Sequence, residues 1–342
     1  MTAALDRRTL LVGIGASIGS GVVAGLAAPA LARFDRFPAP TRELMVPVSG
    51  GRVYVRINGD LAGPRAPVVF VHGGPGGTHD GYLEALTLAD PRQGPPRAVI
   101  LYDQLDSGRS DRPNDPANWT VARFTDELEA IRTALGVPRW HVCGHSWGGT
   151  VALEYGARRP AALAGLVLAS PLISTRSWIA DADILRTRLP DTVQKTLTAC
   201  DSPTPPPTAA CTAATDAFYR QFNGREPPSP AVLAARQSRQ GGGFNPQLYR
   251  TMWGASEFVA TGTLKEYDGE PLLARLDGPR TLFIVGQYDE ARPDTAEAFA
   301  TRVPGAEFAV VPGASHHLFG DRSDETLGLL RPWLLRHDPR KA

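Results

Sequence analysis

The chain has 342 residues, of which 42% are hydrophobic and 21% charged, and a formal net charge of +1. That length accommodates one large α/β domain, or a domain carrying a substantial insertion. The near-neutral charge and the lack of any RNA- or DNA-binding signature exclude a nucleic-acid partner.

Residues 1–32 read apart from the rest. Arg7 and Arg8 precede a mildly apolar run rich in glycine and alanine, which ends in Ala30-Leu31-Ala32, a small-x-small cleavage pattern. The paired arginines and weak hydrophobicity resemble a twin-arginine export signal. The run is long enough to span a bilayer, but its glycines and serines make a poor permanent anchor. The expectation is a mature chain from about Arg33, periplasmic or extracellular, with no stable membrane insertion after cleavage. An oxidising compartment permits Cys200 and Cys211, which bracket the proline-rich CDSPTPPPTAAC, to pair. On the chain-entropy argument so short a loop gains about 3 kcal/mol; the alternative is two free thiols in a loose segment. Cys143 lies in an apolar strand and reads as a small buried filler. No Cys/His spacing suggests zinc.

After the leader, ELMVPVSGGRVYVRI predicts two strands joined by a Ser-Gly-Gly turn. APVVFVHGGPGG is a continuous apolar run, as for a strand buried on both faces, ending in a glycine-rich loop. RAVILYDQLDSGRS repeats that form. Val121, Phe124, Leu128, Ile131 and Leu135 recur at helical spacing until Gly136 and Pro138 stop the helix. RWHVCGHS predicts a strand, WGGTVALEYGARRP a helix, and LAGLVLASP a sixth strand. The alternation breaks from about Leu172 to Asp268, a stretch of polyproline, GGGF and short helical patches. It resumes with RTLFIVGQYDE, a helix from about Asp294 to Arg302, EFAVVPGASHH, and a last helix through DETLGLLRPWLLRH. Alternating buried strands and helices predict a mainly parallel sheet flanked by helices. The expected division is a core of 33–171 and 269–342 with a mostly helical cap, 172–268, inserted after the sixth core strand.

Gly144-His145-Ser146-Trp147-Gly148 has the spacing G-x-S-x-G between a predicted strand and a predicted helix, the context in which that pattern carries a nucleophile. A serine on so sharp a turn needs small neighbours two residues either way, and it stands at the positive end of the following helix. The serine needs a base, and the base an orienting carboxylate, in the chain order Ser, acid, His. Asp289, with Glu290 beside it, follows one late strand; His316 and His317 follow the next. A tetrahedral oxyanion needs two N–H donors. Trp147 is expected to supply one, and the HGGPGG loop (72–77) the other, with Gly74 the favoured donor. That loop lacks the G-K-[ST] ending of a phosphate cradle.

Taken together, HGGPG (72–76), YDQLDSGRS (102–110), GHSWGG (144–149), GQYDE (286–290) and SHH (315–317) resemble the proline iminopeptidases and their aminopeptidase relatives, which have the α/β-hydrolase fold. The resemblance runs in order from about Arg42 to the C-terminus. It implies Asp289 as the acid and His316 as the base, because in such relatives the histidine motif often reads S-H followed by an apolar residue. Asp106 departs from the family's usual glycine, though aspartate tolerates left-handed backbone better than most residues. MWGASEFVATGTLKEYD (252–268) resembles a cap segment of the same family. The resemblance implies that Glu257 works with Glu290 to hold the substrate's free amino terminus. The physics agrees, since an α-amine is mostly protonated at neutral pH and is costly to desolvate unless carboxylates pair with it. Alternatives for these two are a surface or capping carboxylate at Glu257 and a pair with Arg292 at Glu290. Trp147, Trp178, Trp253 and Phe258 are candidates for a pocket wall, and Asp103 and Arg109 for bracing the loop after their strand.

The resulting expectation is an exported serine aminopeptidase that releases one N-terminal residue, proline or another small apolar one, from short peptides or amino-acid amides through an acyl-enzyme. It implies no metal or organic cofactor. The rival is an amino-acid amidase or small-molecule esterase with the same triad. Dehalogenase and epoxide hydrolase relatives carry aspartate where Ser146 stands. Oligomeric state leaves no trace in the sequence.

Overall fold

A computed structural model describes residues 36–201 and 208–339; the leader lies outside the described residues. The Ser-Gly-Gly turn joins β1 (Arg42–Val48) and β2 (Gly51–Asn58) as an antiparallel pair. The short apolar runs become β3 (Val68–Val71), β4 (Val99–Tyr102), β5 (Trp140–His145) and β6 (Leu163–Ala169). Between them lie α1 (Val121–Ala134), capped by Thr120 accepting from the Arg123 N–H at 3.3 Å, and α2 (Trp147–Ala157). Alternate residues of each central strand face opposite sides, which splits the interior in two. Val69, Val71 and Ile100 pack with α1 and α2 on one side. On the other, Val68, Phe70, Val99 and Leu101 meet the irregular helical segment His79–Ala89.

The next segment forms α3 (Thr175–Arg186), α4 (Asp191–Cys200), α5 (Thr208–Phe222), α6 (Pro230–Ser238) and α7 (Pro246–Met252), then a small hairpin of β7 (Gly254–Ser256) and β8 (Val259–Ala260). Ser174, Ser229 and Asn245 cap α3, α6 and α7 through their side chains. This region has its own apolar cluster, built on Leu185, Leu197, Phe218, Phe222 and Phe258. A disulfide joins Cys200 to Cys211, tying α4 to α5. The segment leaves and re-enters the core side by side: Thr175 N–H donates to Tyr267 O, and Gly269 N–H to Ile173 O. The chain ends through β9 (Thr281–Gly286), α8 (Pro293–Thr301), β10 (Glu307–Val311), α9 (Leu318–Asp321) and α10 (Ser323–Arg336). Among the described residues no helix is long and apolar enough to cross a membrane.

The eight core strands run in the order β1-β2-β4-β3-β5-β6-β9-β10, antiparallel at the first two pairings and parallel after. Parallel register aligns the carboxyl ends: Val71 lies opposite Gly144, His145 opposite Ala169, and Gly286 opposite Val311. The loops leaving β3, β5, β9 and β10 therefore open on one edge, where open α/β sheets bind ligands. The region between β6 and β9 sits over that edge.

Candidate active site

β5 ends at His145 and α2 begins at Trp147, so Ser146 takes the whole reversal, at φ 58° and ψ −123°. Such a conformation costs a residue with a side chain about 1–3 kcal/mol and persists only where packing imposes it. The packing is visible at the glycines. A Cβ on Gly144 would stand 2.1 Å from the Gly148 carbonyl oxygen, and one on Gly148 would stand 2.1 Å from that of Val71. Gly149 has Pro171 Cβ at 2.7 Å from the same construction. The motif's glycines let α2 close on the ends of β3 and β5, and that closure holds the serine.

Asp289 is buried, and its carboxylate is fully engaged. Oδ2 accepts from Ser170 Oγ at 2.5 Å and Gly286 N–H at 2.9 Å; Oδ1 accepts from Ala291 N–H at 2.9 Å and His316 Nδ1 at 2.8 Å. The structure thus brings Asp289 to His316. His317 has its ring beside Gly224, in the lining of the same cavity, and makes no hydrogen bond to Asp289 among the described residues. His316 Nε2 lies 3.6 Å from Glu290 Oε1. Among the described residues no hydrogen bond joins it to Ser146 Oγ. Burial pulls the imidazolium down, but Glu290, then Asp289, then Glu257 outweigh it and raise His316 to about 9.

The glycine loop separates its two candidate donors. Gly73 N–H is occupied by Tyr82 Oη at 3.1 Å, whereas Gly74 N–H has no acceptor among the described residues. Trp147 N–H is in the first turn of α2, where no helical acceptor exists. Gly74 and Trp147 are therefore the free donors flanking Ser146. The Trp147 ring does not wall a pocket: it is buried, with Nε1 donating to Gln104 Oε1 at 2.9 Å.

Glu257 and Glu290 both act electrostatically on His316, from different elements, with Glu290 the nearer. Glu257 sits on the turn between β7 and β8, with Oε1 taking Tyr249 Oη at 2.6 Å and its N–H donating to Tyr219 Oη at 3.2 Å. Glu290 is 2% exposed; Oε1 accepts from Asn223 Nδ2 at 2.5 Å, and Oε2 has no hydrogen-bond partner among the described residues. Arg292 pairs with Asp181 and Asp294, not with Glu290. Burial raises the carboxyl of Glu257, and burial also raises that of Glu290, with Glu257 adding and His316 opposing. The end of α5 completes the frame: Phe222 O accepts from both Glu290 N–H and His316 N–H.

Two residues passed over in the sequence belong to this frame. His145 Nε2 faces the His316 carbonyl oxygen at 2.7 Å, so it carries the proton; Nδ1 then accepts from Tyr82 Oη at 2.8 Å, whose oxygen takes Gly73 N–H. One chain of hydrogen bonds joins the glycine loop, the serine turn and the histidine loop, and burial keeps His145 neutral, its pKa driven well below the ordinary value. The signal for His145 was its place inside G-x-S-x-G; Tyr82, in an aperiodic segment, had none. Asp103 and Arg109 are not an ion pair. Asp103 binds His79 Nδ1 and the Arg109 N–H, while the guanidinium goes to Glu43. Asp106 takes the left-handed φ of 65°, and its carboxylate holds Trp119 Nε1 and Asn114 N–H.

Ser146, His316, Glu257, Gly74, Tyr219 and Tyr249 are among the residues lining one cavity of about 1000 Å³. Among the described residues no group of three His, Cys, Asp or Glu side chains is arranged to hold a metal. A strained serine beside a His–Asp pair and two free N–H donors is the equipment of a serine hydrolase.

Residues 66–323 match the α/β-hydrolase fold family. The chain is 34% identical over 292 residues to the proline iminopeptidase of Heyndrickxia coagulans, covering 85% of this chain and 98% of that one. Among solved structures it is similar to the proline iminopeptidase of Mycobacterium smegmatis (32% identity, TM-score 0.77, 86% and 98% covered). It is similar to VinJ as well (33%, TM-score 0.78, 87% and 99%). The chain belongs to the α/β hydrolases and, among them, to the proline iminopeptidase family.

Proposed function

We propose that this protein is a serine aminopeptidase that releases one N-terminal residue, proline or another small apolar one, from short peptides or amino-acid amides. Ser146 attacks the carbonyl carbon as His316 takes its proton, and Asp289 fixes the imidazole and balances its charge. Gly74 and Trp147 N–H groups stabilise the oxyanion, each donor typically contributing ~10²–10³ in rate. His316 returns the proton to the leaving amine, and water then hydrolyses the aminoacyl-enzyme. The names of the relatives support the reaction class, and the carboxylates of Glu257 and Glu290 support the demand for a free amine. The observation that carries the reading is Glu290 Oε2, buried near His316 with no hydrogen-bond partner among the described residues. Glu257 and Glu290 have one imidazole between them, and the substrate ammonium supplies the further cation that two carboxylates call for. We further propose, on the leader's paired arginines and Ala30-Leu31-Ala32, that the chain is exported and acts outside the cytoplasm.

The test uses the chain from Arg33 with prolyl, alanyl and leucyl anilides and their N-acetyl counterparts. Acetylation is expected to reduce kcat/KM by roughly 10²–10³-fold, the equivalent of leaving a buried charge unpartnered. Equal cleavage of blocked and free substrates, or reaction with simple esters alone, would replace this reading with that of an esterase or amidase.

A further inference from the structure

His316 Nε2 is the atom that has to accept the Ser146 proton, yet its nearest charged neighbour is Glu290 Oε1 at 3.6 Å. The groups facing the ring come from every side. Asp289 and Glu290 approach from the loop after β9, and Glu257 from the β7–β8 turn. His145 lies 4.6 Å from the ring, centroid to centroid, on the serine turn; His317 lies 6.4 Å away on the ring's own loop, and Trp178 of α3 meets it edge-on at 5.5 Å. His145 is neutral, so three carboxylates surround one imidazole. Glu290 cannot easily withdraw, because Asn223 holds Oε1 and Phe222 O holds its N–H.

We propose that in the ligand-free protein Glu290 keeps His316 as an imidazolium and so withholds the base, and that the substrate's ammonium takes over Glu290 and returns a neutral imidazole to Ser146. This rests on the reading of Glu290 as an amine-binding carboxylate. The balance is one cation in and one proton out. The ammonium pairs with Glu290 and Glu257, the Nε2 proton leaves to solvent, and Nε2 then accepts the Ser146 proton as the Oγ–C bond forms. The free amine becomes a condition for chemistry as well as for binding. With Glu290, Asp289 and Glu257 around it, the His316 ring favours its protonated form at pH 7 in the empty site.

L-prolinol, a free amine with no scissile bond, probes the step directly. Calorimetric titration at pH 7 in buffers of different ionisation enthalpy counts protons exchanged. Close to one proton released per L-prolinol bound is expected; binding without release overturns the proposal but leaves the amine site standing, and no binding removes both. The second arm follows Glu290→Gln on a neutral acetyl ester and on prolyl anilide. In the unsubstituted protein, ester hydrolysis is expected to rise with pH up to about 9, since the base is freed only as the proton leaves. Glu290→Gln shifts that rise toward neutral pH, increases ester hydrolysis at pH 7 roughly ten-fold or more, and reduces anilide cleavage. A fall in both activities by the same factor overturns the withheld base, and unchanged discrimination for the free amine overturns the underlying reading. If Glu290→Gln does not fold, the proton count and the pH profile of the unsubstituted protein decide alone.

Discussion

Two tyrosine-to-phenylalanine substitutions, identical in chemistry, should move stability in opposite directions. Tyr82 and Tyr102 are both buried, at 6% and 0% exposure. Tyr82 Oη accepts from Gly73 N–H and donates to His145 Nδ1. Tyr102 Oη has no hydrogen-bond partner among the described residues. Tyr82→Phe therefore strands a backbone donor and an imidazole acceptor in the interior. His145 cannot relieve this by changing tautomer, because its other nitrogen must donate to the His316 carbonyl oxygen. Each orphaned group costs roughly 1–3 kcal/mol, so the pair should cost about 2–5 kcal/mol. Tyr102→Phe removes a hydroxyl that was already unpaired and should be neutral or stabilising by up to about 1 kcal/mol. Urea midpoints at constant m-value measure both. Tyr82→Phe should also lower kcat roughly ten-fold with little change in KM, since Gly73 precedes the proposed oxyanion donor. Equal destabilisation by the two substitutions would refute the hydrogen-bond reasoning, and an unchanged kcat would refute the link to the glycine loop.

Gly148→Ala puts a methyl group against the Val71 carbonyl, a backbone atom that cannot yield, and should destabilise by about 1–3 kcal/mol or prevent folding. Gly136→Ala meets nothing within 4 Å at φ 65° and should cost only the strain of that φ, ~1–2 kcal/mol; thermal unfolding of the pair separates the two causes. Reducing the Cys200–Cys211 disulfide should remove about 3 kcal/mol from the region that carries Glu257, by the loop-closure argument. Its check is the unfolding midpoint with and without reductant, in Cys143→Ala to leave a single pair of thiols. His316→Ala should lower kcat at least ~10⁴-fold, whereas His317→Ala should change it by less than about three-fold; steady-state kinetics on prolyl anilide decide between the adjacent histidines.

The chain's local pattern was enough to read the nucleophile turn, because a strand, a serine among glycines and a helix admit few other geometries. The strained φ at Ser146 and the close contacts at Gly144 and Gly148 are that pattern realised. Strand order beyond simple alternation, and the alignment of four loops at one sheet edge, depend on register between segments that are distant in sequence. Asp289 and His316 stood out as residues after strands, but choosing them over Glu290 and His317 needed the family resemblance. The structure gives the physical difference: Asp289 receives four hydrogen bonds, and one of them comes from His316, not His317. Tyr82, Asn223, Tyr219 and Tyr249 had no periodicity or motif to mark them, because their roles are side-chain hydrogen bonds that exist only once the chain has folded. The 3.6 Å approach of Glu290 to His316 is of that kind. Sequence places the two carboxylates next to each other along the chain; only the fold sets Asp289 on one nitrogen of the ring and Glu290 near the other, because a side chain's electrostatic work depends on what surrounds it in space.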